Sequence, residues 1–347
     1  MTSTIAAIDA DGHIFERQDE VRKYLDKRWS SRDTALWPGG QPWDLELSGK
    51  LEPPYGYTRN LASKQQRELW TRICDDHEID KAVLFPTGSG NIAKTQDRDF
   101  ARDVCRAANR HFAADFMTDR LFPVGALPMC DPQAAAAEVE YATRELGLKG
   151  FEVVTDGMPF GLGDPFFDPV YETAEKTGAT IGVHGTRHWA YEWGANKLRT
   201  FGEVHAYAFP AGVILNFTSA MCQGVPIRFP KLKLGFLEIG ATWLPYYLDR
   251  LDEHWEKRAE EEMPVLKKKP SQVFRESSIK VSIEGKESLL RETIDFVGAE
   301  HLIYATDIPH WDGEFPENLQ DIRTANNLTD KEKQAILHDN AEALFSL

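Results

Sequence analysis

Eight short apolar runs, most of them separated by a helical pattern, narrow the folds open to this chain more than any other feature. They cover residues 4–11, 81–85, 121–126, 150–154, 179–183, 232–237, 279–283 and 302–305. Short apolar runs bounded by polar residues read as strands buried on both faces, and such strands belong to parallel sheets. Helical patterns fall at 20–28, 62–76, 97–118, 132–146, 169–177, 201–223, 240–258 and 286–297, with helices again over 316–347. Asp131 stands where an N-cap for the 132–146 segment belongs. Eight βα units in 347 residues predict an α/β fold: one (β/α)8 TIM barrel, with 1–347 as a single domain. A doubly wound sheet is the alternative, but no glycine-rich fingerprint follows the first run, so a nucleotide site lacks support.

Residues 29–61 break the alternation. Trp29, Trp37, Trp43, Tyr55 and Tyr57, with four prolines and several glycines, make an aromatic, turn-rich insertion after strand 1. A segment of that length without a period is expected to be a lid, a binding element or a surface excursion. The charged stretches 260–262 and 267–269 read as a solvated loop. A net charge of −15 argues against a nucleic-acid surface. Cys74, Cys105, Cys130 and Cys222 are widely spaced without a CxxC pair, which fits reduced thiols. No basic, apolar leader opens the chain and no run approaches a membrane span. The expectation is a cytoplasmic protein acting on a small molecule, with no nucleic-acid or membrane partner.

In a barrel the chemistry lies at the C-terminal ends of the strands. The first run ends in Ile8-Asp9-Ala10-Asp11-Gly12-His13, the fifth in His184, the sixth in Glu238 and the eighth in Thr306-Asp307. Strict alternation puts Asp9, Asp11 and His13 on one face. Two carboxylates and an imidazole at the end of a buried strand need compensation, and a divalent cation supplies it. The plainer reading is a polar turn at Gly12. Asp11 is the better ligand candidate, being nearer the strand end, while Asp9 reads as structural. His188 and Trp189 follow His184 closely, and Arg187 offers a two-donor fork for a carboxylate. His310 and Trp311 follow Asp307. His205 and His254 are weaker candidates, and His77, His111, His301 and His338 read as surface or helix-end residues.

Asp11-Gly12-His13, His184, the segment Tyr304-Ala305-Thr306-Asp307-Ile308-Pro309-His310-Trp311-Asp312 and the run Arg228-Phe229-Pro230-Lys231-Leu232 together resemble the amidohydrolase superfamily. The likeness is to the branch holding 2-amino-3-carboxymuconate-6-semialdehyde and γ-resorcylate decarboxylases. It implies one divalent metal, zinc or else manganese, held by Asp11, His13, His184 and Asp307. Relatives of this kind also suggest a homodimer. The branch's decarboxylases usually carry a histidine at the end of the sixth strand, where this chain has Glu238. That departure favours a metal-dependent hydrolase in which water cleaves a C–N or C–C bond of a small carboxylated, ring-derived substrate. Asp307 would then be the base, Glu238 or His310 the acid, and Arg187, His188 and Trp189 the substrate contacts. The alternative is a non-oxidative decarboxylase of an aromatic or muconate-type acid.

Overall fold

The computed structural model describes residues 5–37, 56–57, 60–185 and 194–347. Its strands are β1 (Ala7–Ile14), β2 (Ile79–Pro86), β3 (Leu121–Pro123), β4 (Gly125–Ala126), β5 (Gly150–Val154), β6 (Thr180–His184), β7 (Lys233–Phe236), β8 (Lys280–Ile283) and β9 (Leu302–Tyr304). Every pairing is parallel. β3 and β4 are halves of one barrel strand. The break falls at Val124, whose N–H still donates to the Leu84 carbonyl at 2.9 Å. The ring closes between the last strand and the first: Asp307 N–H donates to the Asp11 carbonyl at 2.9 Å, and His13 N–H to the Ile308 carbonyl at 2.7 Å. The chain is therefore an eight-stranded parallel barrel, as the alternating pattern predicts.

The covering helices are α1 (Ser63–His77), α2 (Arg98–Asp115), α3 (Pro132–Tyr141), α4 (Asp168–Thr177), α5 (Phe201–Cys222), α6 (Leu244–Glu262), α7 (Pro270–Glu276) and α8 (Leu290–Val297). Asp97 and Asp131 cap α2 and α3 by accepting the N–H groups of Phe100 and Ala134. Thr200 and Glu203 form a capping box at α5. The C-terminal region holds α9 (Glu317–Thr324), α10 (Asp330–Gln334) and α11 (Asn340–Phe345). Leu344 and Phe345 of α11 close the barrel floor against Ile8, Ala10, Val83, Phe85, Val124, Leu237 and Ile303, which fill the lumen. No helix among the described residues is long and apolar enough to cross a membrane, and all four cysteines are free thiols.

Several expectations need correction. The 20–28 segment is not one helix. A turn at Gln18–Val21 and two 3-10 turns are split at Leu25, and Asp26 caps the second by accepting Arg28 N–H at 2.8 Å. α6 starts at Leu244 rather than Gly240, because Glu238 and Gly240 take positive φ and Pro245 sits in the first helical turn. Residues 260–262 end α6 instead of forming loop, and α7 went unforeseen.

Strict alternation along β1 also fails. Asp9 pairs with Ala82 but Gly12 pairs with Leu84, so β1 carries one extra residue between them. Such a bulge reverses the faces of all that follows. Ile8 and Ala10 point into the lumen ahead of it. Beyond it Gly12 turns outward, where a Cβ would stand 2.4 Å from the Trp70 ring. Asp11 and His13 turn inward, and Asp9 is left on the other face.

Of the 29–61 insertion, the described parts are anchored. Trp29 Nε1 and Arg28 Nε donate to Asp103 on α2, each at 2.8 Å. Leu36, Trp37 and Tyr57 are buried. Residues 38–55, 58 and 59 lie outside the described residues.

Candidate metal centre

Six of the side chains singled out in the sequence meet at the C-terminal mouth of the barrel. Asp11 and His13 arrive on β1 through the bulge, His184 ends β6, Glu238 follows β7, and Asp307 and His310 follow β9. Asp11 Oδ1 lies 3.4 Å from both His13 Nε2 and His184 Nε2, and His13 Nε2 lies 3.2 Å from Asp307 Oδ1. Ligands about 2.1 Å from a tetrahedral cation stand about 3.4 Å from one another, so each of these pairs has the spacing of two neighbouring ligands. Two potential ligand groups form among the described residues, Asp11–His13–His184 and His13–Glu238–Asp307–His310, and His13 belongs to both.

The donors are also unsatisfied in a way that fits a cation. Both Asp11 oxygens, both His13 ring nitrogens and His184 Nε2 are buried without a hydrogen-bond partner among the described residues. Buried polar atoms without partners are rare enough to require an explanation. His184 Nδ1 lies 2.9 Å from the Gly185 carbonyl, which can only accept. Nδ1 therefore carries a proton, and Nε2 is the nitrogen that faces Asp11. Anchoring one ring nitrogen while the other coordinates is the usual arrangement of a metal-binding histidine.

Glu238 lies across the lumen between two imidazoles. Its Oε2 is 3.0 Å from His184 Nδ1 and its Oε1 is 3.4 Å from His310 Nδ1. His310 Nδ1 is also 2.7 Å from Asp307 Oδ1, and the His310 and His13 ring centroids are 4.1 Å apart. Burial alone would raise the Glu238 carboxyl, but the neighbouring His184 and His310 bring it down to about 2. Burial works the same way on Asp307, and His310 and His13 hold that carboxyl well below the usual range. Burial would lower His310, yet Asp307 and Glu238 raise it to about 10. His184 is likewise driven upward against burial by Glu238 and Asp11. His13 moves the other way: burial, then the positive field of His310, lower it.

Backbone geometry aims these groups. Glu238 and Asp307 both take left-handed φ, 69° and 55°. That conformation is costly for residues with a Cβ and is tolerated where the surroundings fix it. Glu238 N–H donates to Ser282 Oγ at 2.9 Å, and Asp307 N–H is held in the β1 seam.

Asp9 is structural, as expected. Its Oδ1 accepts the Thr306 N–H at 3.0 Å and its Oδ2 accepts the Thr306 hydroxyl at 2.6 Å, which ties the seam beneath the site. Arg187, His188 and Trp189 lie outside the described residues. His205 stands at the rim, stacked on Phe209 at 4.3 Å, edge-on to Trp311 at 5.3 Å and 3.7 Å from Asp312. His111 and His301 are buried, not surface residues. Ser63 and Asp115 bracket the first, and the second lies 2.8 Å from the Ile279 carbonyl.

Sequence reasoning missed Glu152 on β5 and the buried Lys94–Asp156 pair at 2.6 Å. The signal for Glu152 was available, since a lone carboxylate interrupts the apolar run 150–154.

The amidohydrolase family model matches residues 8–347. The chain is similar to 2-amino-3-carboxymuconate-6-semialdehyde decarboxylase of Dictyostelium discoideum, with 25% identity over 276 residues, 79% of this chain and 74% of that protein. It is similar to γ-resorcylate decarboxylase of a Rhizobium species, with 24% identity over 288 residues, covering 80% and 86%. Its fold is similar to that of dihydroxybenzoic acid decarboxylase from a Polaromonas species, solved with manganese and the inhibitor 2-nitroresorcinol. That match has a TM-score of 0.70 at 19% identity and covers 100% and 98% of the two chains. With a match running almost end to end and ligand-type side chains at the expected strand ends, the chain belongs to the amidohydrolase family.

Proposed function

We propose that this protein is a metal-dependent, non-oxidative decarboxylase of a hydroxylated aromatic or muconate-type carboxylic acid. The observation that carries the reading is the placement of His310. Two carboxylates, Asp307 and Glu238, face its Nδ1 at 2.7 and 3.4 Å. A proton on that nitrogen is held between the two carboxylates, and an imidazole charged in this way is the kind of acid that decarboxylation needs beside the reacting carbon. The similarity to two curated decarboxylases supports the same choice over the hydrolase expected from Glu238.

In this reading Asp11, His13, His184 and Asp307 hold the ion. Manganese is favoured over the zinc expected from the sequence, because a decarboxylase of the same fold binds it. When bound, a divalent cation supplies positive charge for the substrate carboxylate and an adjacent oxygen. His310 gives its proton to the ring carbon that bears the carboxylate, forming a C–H bond. The C–C bond then breaks, its electron pair returns to the ring, and carbon dioxide leaves. Asp307 and Glu238 stabilise the imidazolium before transfer, and His310 regains a proton from water. Arg187, His188 and Trp189 remain the proposed substrate contacts. Glu238 in place of the branch's usual histidine is the one feature that still favours a water-using reaction.

The deciding experiment incubates the manganese-loaded protein with hydroxybenzoic acids in D2O and, separately, in oxygen-18 water. One ring deuterium and one carbon dioxide per turnover are expected. Oxygen-18 in the organic product, without carbon dioxide, would replace decarboxylation with hydrolysis.

A further inference from the structure

Glu152 is a buried acid whose Oε2 has no hydrogen-bond partner among the described residues. It is 4% exposed in the middle of β5. Its Oε2 is sealed from solvent without a hydrogen-bond partner, and no cationic side chain pairs with it among the described residues. Unpaired buried carboxyls are costly, and a well-packed apolar side chain of similar size would do better structurally.

Its position shows where the group points. Glu152 is aligned with Gly182 on β6 and with Ala126 on β4. A Cβ at Gly182 would meet Phe85 at 2.7 Å and Leu237 at 3.4 Å, both lumen residues. Glu152 therefore faces the lumen, one step below Val154, which is aligned with His184. The carboxyl rises from the strand toward Val154, because the Cβ position at Gly90 lies 2.1 Å from Glu152 Oε2 and 2.8 Å from Val154 Cγ1. The carboxyl also has space reserved for it: a Cβ on Gly90, in the buried 3-10 turn Ser89–Lys94, would stand 2.1 Å from Oε2. The groups whose charge reaches it include His184, Asp11 and Glu238 of the metal centre. Burial raises its carboxyl to about 8, which keeps it a neutral acid with one O–H donor and free acceptor sites.

We infer that Glu152 contacts the substrate, reading a ring hydroxyl that lies on the lumen side of the metal ligands. A hydroxyl both donates and accepts, as a neutral carboxylic acid does. This inference rests on the decarboxylase reading, since it takes the ring of that substrate as its ligand. Glu152 thereby selects acids hydroxylated at the position facing β5 and contributes to binding, not to proton transfer.

The test measures binding of 2-nitroresorcinol and of 2-nitrophenol, which lacks one hydroxyl, to the manganese-loaded protein. Wild type should prefer 2-nitroresorcinol by about tenfold, the value of one buried hydrogen bond. Glu152→Gln keeps a donor and an acceptor and should stay within about threefold of wild type. Glu152→Met should abolish the preference while unfolding at a higher temperature than wild type, a combination that a merely structural role would not give. Equal binding of 2-nitroresorcinol by wild type and Glu152→Met would overturn the inference and leave the decarboxylase reading standing. So would a manganese stoichiometry above one per chain that falls to one in Glu152→Met, since Glu152 would then be a ligand. Failure of wild type to bind either probe, together with no carbon dioxide release, would overturn both.

Discussion

Asp9 and Asp11 sit two residues apart on one strand and have opposite roles. Both Asp11 oxygens face the candidate metal centre without a hydrogen-bond partner among the described residues, whereas both Asp9 oxygens accept from Thr306. The bulge between them makes the difference, and composition gives no hint of it. Glu152 and Glu238 form a second contrast, since both are buried in one lumen. Glu238 has imidazoles beside it and is driven down, while Glu152 has none bonded to it and is driven up to about 8. The raised value has a consequence for stability. Between the ordinary carboxyl value near 4.5 and about 8, the unfolded chain has released this proton and the folded chain has kept it. Folded stability therefore falls as pH rises through that window and levels off above it. His184 opposes the upward shift, while Glu16, Asp11 and Glu238 add to it. Glu152→Gln removes this loss. Its melting temperature should match wild type near pH 4.5 and exceed it by several degrees at pH 8, as read by thermal unfolding at both values. A constant difference across that range would mean Glu152 is ionised in the folded protein.

At the scale of the element, strands and helices were legible because hydrophobic period reports burial directly. Helix α1 was expected over 62–76 and is found at Ser63–His77, and β6 was expected over 179–183 and is found at Thr180–His184. The misses lie where tertiary contacts override local preference. β1 runs through Asp11, Gly12 and His13 to Ile14, three residues of low strand propensity among them, because β2 and the Ile308 carbonyl supply its backbone partners. The start of α6 is delayed by the left-handed turn that carries Glu238 into the lumen. The side chains that meet at the barrel mouth stand at strand ends, where the sequence shows them; Glu152, placed mid-strand, could not be separated from a structural charge without its neighbours. The β1–β9 seam offers a test at this scale. Thr306→Val removes the hydroxyl that Asp9 Oδ2 accepts at 2.6 Å and leaves a buried carboxylate short of a donor. A loss of about 1–3 kcal/mol in denaturant unfolding is expected. Because Thr306 adjoins Asp307, manganese affinity should fall as well; unchanged affinity would mean that the seam does not set the position of Asp307.

For the whole molecule, the ion would join side chains from β1, from the end of β6 and from the segment after β9. Those elements are remote in sequence, so a ligand binding only the folded chain stabilises all of it together. Removing metal with a chelator should lower the melting temperature, and manganese at about a hundred times its dissociation constant should restore about 2.7 kcal/mol. A melting temperature insensitive to chelator and to added manganese would argue against a site shared between these strands. The seam under the site has a further meaning for how the protein is made. Asp9 and Thr306, whose bond fixes it, are 297 residues apart in the chain. A ribosome that has released β1 through β8 has delivered Asp11, His13 and His184 but not Asp307 or His310. No nascent chain short of that point holds the full proposed ligand set, so metal uptake through it would wait for the finished barrel and be decided by whatever ion the completed protein meets.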